Sequence, residues 1–418
     1  MNILVCGANG FIGHALCQAL ARDGHRVLKG VRQARHADEI AVDYRVDTTP
    51  AAWVDRLRGI HVVINAVGIL REGDRGDFDR LHHLAPVALF EAAAQAGVRQ
   101  VLQVSALGAE GGDTAYFRSK RAADDHLRTL PIAHHILRPA LVYGAQGESA
   151  RFFRALASLP LHALPAGGKQ ALRPIHVDEL AQIVQRLVRG AADAPAVLDL
   201  VGGAEVSYKR LLAVYRQAMG FAPAWTFSVP GALIGAAAAV GDRVPGSMLT
   251  RDTWRMLRAG NSGDPAATTR ALGRPPAGID TFISPAEAPA LRAQALAAWR
   301  PLLLRGALAL IWLWTALCSA FIYPTGDSLA LLARVGLHGP AAVAALYLAA
   351  ALDAVFGVAT LWRPGRRLWA AQLALVLGYS AVIAVALPEF LWHPFGPLLK
   401  NVAVVALLFI LFSEETQS

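Results

Sequence analysis

Residues 2–13 read Asn2-Ile3-Leu4-Val5-Cys6-Gly7-Ala8-Asn9-Gly10-Phe11-Ile12-Gly13. Residues 2–6 are a short apolar run of the kind that forms a buried parallel strand. Three glycines follow at once, and after them an amphipathic helix to about Arg22. In a strand–turn–helix unit each glycine has a task. Gly7 permits the tight turn, Gly10 lets backbone approach a pyrophosphate, and Gly13 lets helix and strand pack closely. The helix N-terminus offers free N–H groups and partial positive charge to phosphate. A glycine triplet alone is a weak signal. Directly after a strand and before a helix, it predicts a dinucleotide site on Gly7, Asn9, Gly10, Phe11, Ile12 and Gly13. The same glycines, with no basic segment before them, argue against a signal peptide.

Working outward, apolar runs at 26–32, 61–68, 98–106, 132–144 and 197–202 read as strands. Helical patterns lie between them at 78–97 and 116–130. Strands alternating with helices predict an α/β fold, a doubly wound parallel sheet of Rossmann type. Residues 220–283 are harder to read. The apolar 229–241 is too short to span a bilayer and reads as a core or surface-lying helix. Residues 286–300, rich in Ala and Pro, read as a linker between a domain over 1–285 and another over 301–413.

A site for NAD commonly places an acid at the end of the second strand, where it meets the ribose 2′-OH. Here the strand ends Gly30-Val31-Arg32, and no acid lies between Asp23 and Asp38. A guanidinium suits a 2′-phosphate by charge and shape, so Arg32 favours NADP(H) over NAD(H).

Tyr116-Phe117-Arg118-Ser119-Lys120 opens a helix, and Ser105 closes the strand before it. Tyr116 and Lys120, four residues apart, share a helical face. An ammonium beside a phenol favours its ionised form, so Lys120 is expected to lower the pKa of Tyr116. A tuned phenol can give or take a proton at a carbonyl or carbinol oxygen, which Ser105 would orient. His134, His135 and His176 lack the spacing of metal ligands, and no metal site is expected.

Gly7 to Gly13, Ser105 and Tyr116 to Lys120 together resemble the short-chain dehydrogenase/reductase superfamily. LRPALVYG at 137–144 and RPIHVDEL at 173–180 are similar to segments of its extended and atypical branches. VINAVG, AGVRQVLQVSALGA at 96–109 and FRSKRAADDHL at 117–127 resemble the subgroup of the 39-kDa accessory subunit of respiratory complex I. The resemblance implies that Asp43 meets the adenine and that Ala66, Val67 and Gly68 line the cofactor. It also implies that Pro139 lies beside the nicotinamide. The sequence departs from the superfamily at His82, where many members carry an Asn that supports a water chain to the Lys. His82 is either a substitute for that Asn or an ordinary helix histidine.

Composition adds a second part. Of 418 residues, 55% are apolar and 17% charged, and the mean hydropathy is +0.38. A soluble domain is typically ~25% charged. The chain is therefore neither disordered nor wholly soluble. Net charge is +9, but no block of basic residues interleaved with aromatics occurs, so nucleic acid is not an expected partner. Cys6, Cys17 and Cys318 form no disulfide or metal pattern. Apolar segments at about 302–323, 341–362, 368–387 and 397–412 read as four membrane spans, the last one short. Trp299, Trp362, Trp369 and Trp392 lie near span ends, as in an aromatic belt. Arg292, Arg300 and Arg305 precede the first span, and Arg363, Arg366 and Arg367 separate the second from the third. Arginine-rich loops stay cytoplasmic, which places both the N-terminal domain and the C-terminus on that side, in a bacterial inner membrane. Asp353, in mid-span, is a candidate functional carboxylate with Arg305, Tyr379, Lys400 and Asn401 as possible partners.

WHPFGPLLKNVAVVALLF at 392–409, with LLLRGALALIWLWTAL at 302–317, resembles the DoxX-like four-helix membrane family. That resemblance implies a membrane redox or quinone context. The expectation is a membrane-anchored NAD(P)H-dependent oxidoreductase with a lipid-soluble or small-molecule substrate. The alternatives are a non-catalytic nucleotide-binding subunit of a membrane redox complex, or a membrane domain that carries the activity itself.

Overall fold

The apolar runs of the N-terminal half line up as seven parallel strands: β1 (Asn2–Cys6), β2 (Arg26–Val31), β3 (Glu39–Ala41), β4 (Val62–Asn65), β5 (Gln100–Val104), β6 (Ala133–Pro139) and β7 (Val197–Leu200). Their order in the sheet is β7-β6-β5-β4-β1-β2-β3, and every pair is parallel. The structure, a computed structural model, describes residues 1–190, 195–244, 246–394 and 396–415. It divides into two compact units, Met1–Ala295 and Leu296 onward.

Strand β1 shows why the run at 2–6 is apolar without alternation. Ile3 and Val5 enter one core with Leu16 and Leu20 of helix α1 (Phe11–Arg22). Leu4 and Cys6 enter the other core, with Leu89 and Phe90 of α2 (Ala85–Gln95) and Ala123 and Leu127 of α3 (Ala115–Thr129). Helix α4 (Val177–Val188) adds Leu180, Ile183 and Val184 to the first core. Both faces of the strand are buried, so both must be apolar. The strand order reverses between β1 and β4. The loops leaving their C-terminal ends therefore flank a crevice, where ligands of open α/β sheets bind.

Two expected elements differ in detail. The helix expected over 78–97 is broken: a short turn, Asp77–Asp79, passes into a π-helical turn, Arg80–Leu84, before α2 begins. The stretch expected as a linker at 286–300 contains helix α5 (Ala288–Ala297). Its Leu291 and Ala295 are buried with Tyr215 and Phe282 in a third core cluster of the first unit. Alanine-rich sequence without a strong polar face looks like linker, but two apolar residues one turn apart suffice to dock it.

The second unit is helical. Helix α6 (Arg300–Leu317) continues through a π turn, Cys318–Ile322. Helices α7 (Gly339–Trp362), α8 (Arg366–Ala386) and α9 (Leu399–Glu414) follow. Three helical stretches, Ala288–Ile322, Gly339–Trp362 and Arg366–Ala386, are long and apolar enough to cross a membrane. A short helix, Thr325–Arg334, occupies the connection after the first of them. Helices α6 and α7 approach closely at Gly357, where a Cβ would lie 2.6 Å from Leu313 Cγ. Leu308, Trp312, Trp369, Leu408 and Leu411 form the core. Trp369 is thus a core residue and not part of a belt. Its indole donates to Glu415 Oε2 at 3.0 Å.

Candidate functional site

The first turn is built as its glycines require. Gly7 has φ +80°, in the left-handed region that favours glycine. Its N–H donates to Gly30 O at 3.2 Å, and the Gly10 N–H donates to Gly7 O at 2.9 Å. A Cβ on Gly13 would lie 2.1 Å from Gly7 O, so no larger residue fits there without moving the turn. Gly10 caps α1 with no side chain satisfying its first N–H groups, and no acid stands in the first turn. The N–H groups of Phe11 and Ile12 are therefore left to an anion. Asn9 is exposed beside them. The Phe11 ring closes the turn against Gly144, where a Cβ would lie 2.5 Å from Phe11 Cε2. This cradle fits the pyrophosphate of a dinucleotide.

The opposite wall is the loop after β4. Ala66 backbone lies 3.0 Å from where a Gly7 Cβ would be. Asn65, fully buried, fixes the loop. Its Oδ1 accepts from Tyr44 Oη at 2.9 Å and from Val67 N at 3.2 Å, and its Nδ2 donates to Gln103 Oε1 at 2.7 Å. Ala66, Val67 and Gly68 are thereby held facing the glycine turn.

Three further predicted residues lie at strand ends on the same edge of the sheet. Arg32 directly follows β2, is exposed, and has no hydrogen-bond or ionic partner among the described residues. The nearby acids are already engaged. Asp38 pairs with Lys29 at 2.8 Å, and Glu39 accepts from Arg35 N and His36 N at 2.7 and 3.2 Å. Asp43 follows β3 and accepts from Arg45 N at 3.0 Å. Pro139 closes β6, and its carbonyl accepts from Leu107 N at 2.9 Å.

The Tyr116, Lys120 and Ser105 group is arranged differently from expectation. Lys120 is buried and reaches toward the loop after β4. Its Nζ donates to Val67 O at 3.2 Å and Val104 O at 3.1 Å. Gly68 makes room for it, since a Cβ there would lie 3.2 Å from Nζ. Burial pulls its pKa down to about 8. Tyr116 packs edge-on against Phe78, His82 and Phe117. Burial pushes its phenol up to about 12, with Asp124 adding to the rise. The expectation that Lys120 lowers the Tyr116 pKa is therefore overturned: the ammonium is spent on two carbonyls, and desolvation governs the phenol. The Ser105 hydroxyl donates to Asp124 Oδ2 at 2.6 Å.

Asp124 was not singled out by its sequence, although it falls on the Tyr116–Lys120 face one turn further on. It is fully buried, with Arg138 Nε 3.7 Å away. Arg138 also pairs with Glu110. Burial raises Asp124 to about 6, against the pull of Ser105, Lys120 and Arg138. His82, also fully buried, has both ring nitrogens engaged. Nε2 accepts from Ile69 N at 3.0 Å, and Nδ1 lies 3.0 Å from Ser119 Oγ, which itself donates to Tyr116 O. That pattern assigns the neutral tautomer with hydrogen on Nδ1. Burial holds the ring well below its usual pKa, and the Lys120 charge adds to this. His82 is thus a brace between the loop and α3, not a free relay.

In the second unit Asp353 is buried. Its Oδ1 has no hydrogen-bond partner among the described residues. Two of the partners expected for it bond elsewhere: Arg305 to Glu415 at 3.4 Å and Asn401 to Ser380 Oγ at 2.9 Å. The buried polar chain in this unit runs instead from Trp312 Nε1 to Gln372 Oε1 at 2.9 Å, and from Gln372 Nε2 to Thr360 Oγ1 at 2.9 Å.

Comparison with known proteins agrees with this division. Residues 7–155 match the NAD(P)H-binding family and residues 309–409 the DoxX-like family. A ceramide reductase of Caulobacter vibrioides is 33% identical over 187 residues, 43% of this chain and 58% of that protein. Subunit 9 of the NADH dehydrogenase [ubiquinone] 1 alpha subcomplex of Arabidopsis thaliana is 29% identical over 221 residues, 48% of this chain and 54% of that protein. The chain thus spans little more than half the length of either relative. Among solved structures, an NADPH-dependent quinone oxidoreductase from Escherichia coli, in complex with NADPH, superposes with a TM-score of 0.53. It covers 67% of this chain and 98% of its own, at 18% identity, a likeness of fold. The chain joins a Rossmann-fold region that matches the NAD(P)H-binding family to a C-terminal region that matches the DoxX-like family.

Proposed function

We propose that the protein is a membrane-anchored NADPH-dependent reductase acting on a carbonyl or quinone of a membrane-associated substrate. The observation that carries this reading is the seating of Lys120, on the helix of Tyr116, against Val67 O and Val104 O, Val67 belonging to the loop whose Ala66 faces the glycine turn. A bound NADPH would supply hydride in a cleft beside that loop. The chain would supply the rest. The Phe11 and Ile12 N–H groups would hold pyrophosphate, and Arg32 the 2′-phosphate. Tyr116, a phenol whose ordinary pKa already lies well above neutrality and which burial pushes higher, is in the form a reduction needs, since the substrate oxygen must gain a proton. Asp124 orients Ser105, and Lys120 fixes the loop that faces the cofactor. That a relative sharing 33% identity is named for reducing ceramide, a membrane lipid, supports a lipid substrate here.

The membrane reading has four spans, with α9 as the fourth, and both ends of the chain cytoplasmic. The placement of Arg363, Arg366 and Arg367 around the start of α8 supports it. Tethering would give a lipid-soluble substrate a high effective concentration at the cleft.

The test is NADPH consumption by the full chain in lipid nanodiscs, with short-chain quinones and a membrane lipid extract as substrates. Tyr116→Phe is expected to lower turnover by about 10²–10⁴-fold, the usual worth of a positioned proton donor, with NADPH affinity nearly unchanged. Turnover retained in the variant would sink the assignment. Arg32→Ala is expected to weaken NADPH roughly tenfold or more, as loss of a charge-assisted bond does, and to leave NADH binding unaltered. Equal effects on both would overturn the NADP preference.

A second reading is a nucleotide-binding subunit without turnover. It is favoured by one observation: the Ser105 proton is committed to Asp124 and not to the cleft. It predicts stoichiometric NADPH binding without consumption.

A further inference from the structure

Helix Gly231–Gly241 reads GALIGAAAAVG and contains no polar side chain. A helix apolar all round is ordinarily buried, yet this one lies on the surface of the first unit. Ala232, Leu233, Ala236, Ala237 and Val240 are exposed, Leu233 at 61% and Val240 at 63%. At positions i, i+1, i+4, i+5 and i+8 they form one stripe. The strand just before it, Trp225–Val229, exposes Trp225 at 82% and Phe227 at 47%. An exposed apolar surface flanked by an aromatic of this size marks an interaction site.

What surrounds the stripe identifies the partner. Helix Arg251–Ala259 packs beside it and presents Arg251, Arg255 and Arg258 along one face. Arg243 is exposed at the end of the apolar helix. The only acids between 225 and 260 are Asp242 and Asp252. They lie 3.5 Å from Arg251 and 3.8 Å from Arg255, and four arginines against two acids leave the region positive. Apolar and aromatic groups ringed by arginine match the interface of an anionic bilayer. The same chain carries three helical stretches able to cross a membrane, which puts a bilayer within its reach.

We infer that helix Gly231–Gly241, with Trp225 and Phe227, docks the reductase domain on the anionic surface of the membrane. The link to the site runs through helix Arg251–Ala259. Its Met256 packs against the cluster containing Phe78 and Tyr116. One element therefore touches both the docking face and the buried cluster that holds Tyr116. The inference stands apart from the catalytic reading and is tested without it.

The test uses the full chain in nanodiscs of phosphatidylcholine with and without phosphatidylglycerol. A fluorophore is attached at Leu233→Cys, or at Val240→Cys should the first variant fail to fold. The background is Cys318→Ser, because Cys6 and Cys17 are buried. Asp125→Cys, on an exposed helix face, is the control. Brominated acyl chains are expected to quench the label at 233 but not at 125, and only in discs containing phosphatidylglycerol. The triple variant R251Q/R255Q/R258Q should weaken docking by about 100-fold, taking roughly fivefold per arginine charge lost near an anionic surface. Bound NADPH shows that each variant is folded. A label at 233 that lipid never quenches overturns the inference. A label shielded from aqueous iodide but not quenched by lipid overturns it too, and identifies protein as the cover, a second copy if the shielding follows the number of chains per disc.

Discussion

Between Ser105 and Arg138 the sheet buries a carboxylate, Asp124, whose protonation is set by opposing neighbours. Burial raises its pKa from 3.8 to about 6, although Ser105, Lys120 and Arg138 stabilise the anion. The folded protein therefore takes up a proton near pH 6, while the unfolded chain takes it up only near 3.8. Across that window the native state binds more protons, so this group adds stability as pH falls and removes it as pH rises. Asp124→Asn deletes the group. The thermal midpoint of the wild type, measured against that of the variant, should therefore improve on acidification from about pH 6 to about pH 4 and stay constant above neutrality. Parallel midpoint curves would exclude the assignment. The grouping of Ser105 with Tyr116 and Lys120 was legible, because Tyr116 and Lys120 stand at helical spacing after a strand-ending serine. Their partners were not. Where an ammonium points depends on which carbonyls the fold leaves unpaired, here Val67 O and Val104 O, and those are set by sheet register.

At the level of elements, the π-helical turn Arg80–Leu84 explains how a histidine comes to brace the cofactor loop. The wider turn brings His82 beneath Ile69 and against Ser119, with Phe78 stacked on it at 5.3 Å. Both ring nitrogens replace backbone or hydroxyl partners that water cannot reach. Truncation would strand the Ile69 N–H and open a cavity, so His82→Ala is expected to cost about 3 kcal/mol. Hydrogen exchange in residues 66–70 should quicken with it. His82→Asn, which keeps one donor and one acceptor, should lose less. Equal exchange in both variants and wild type would show that the brace does not hold the loop. The long parallel strands and α1, α2 and α3 follow from apolar runs and periodicity. The π turn has no sequence signature, because it differs from an α-helix by one inserted residue per turn and not by residue type. Helix Gly231–Gly241 was readable as apolar and short, but whether its face lies inward or outward depends on what packs beneath it.

For the whole molecule, the sidedness of the second unit turns on α9. At 16 residues a helix is about 24 Å long, short of a hydrocarbon core of about 30 Å. A four-span arrangement requires it to cross with help from local thinning of the bilayer or from the segment before it. A three-span arrangement would leave it lying along the surface. The two differ in where the chain ends. With the arginine-flanked start of α6 and the Arg363 to Arg367 turn held on the cytoplasmic side, four spans return the C-terminus to that side and three do not. A fluorescent protein fused to the C-terminus and matured only in the cytoplasm is therefore expected to shine. A cysteine placed in helix Thr325–Arg334 should react with a membrane-impermeant maleimide from outside, whereas one at Pro364 should not. A dark fusion with the same maleimide pattern would establish three crossings, with α9 an interfacial helix. The buried core formed by Leu408 and Leu411 with Trp312 and Trp369 argues for the first outcome, because a helix lying on the surface would have to give up those contacts.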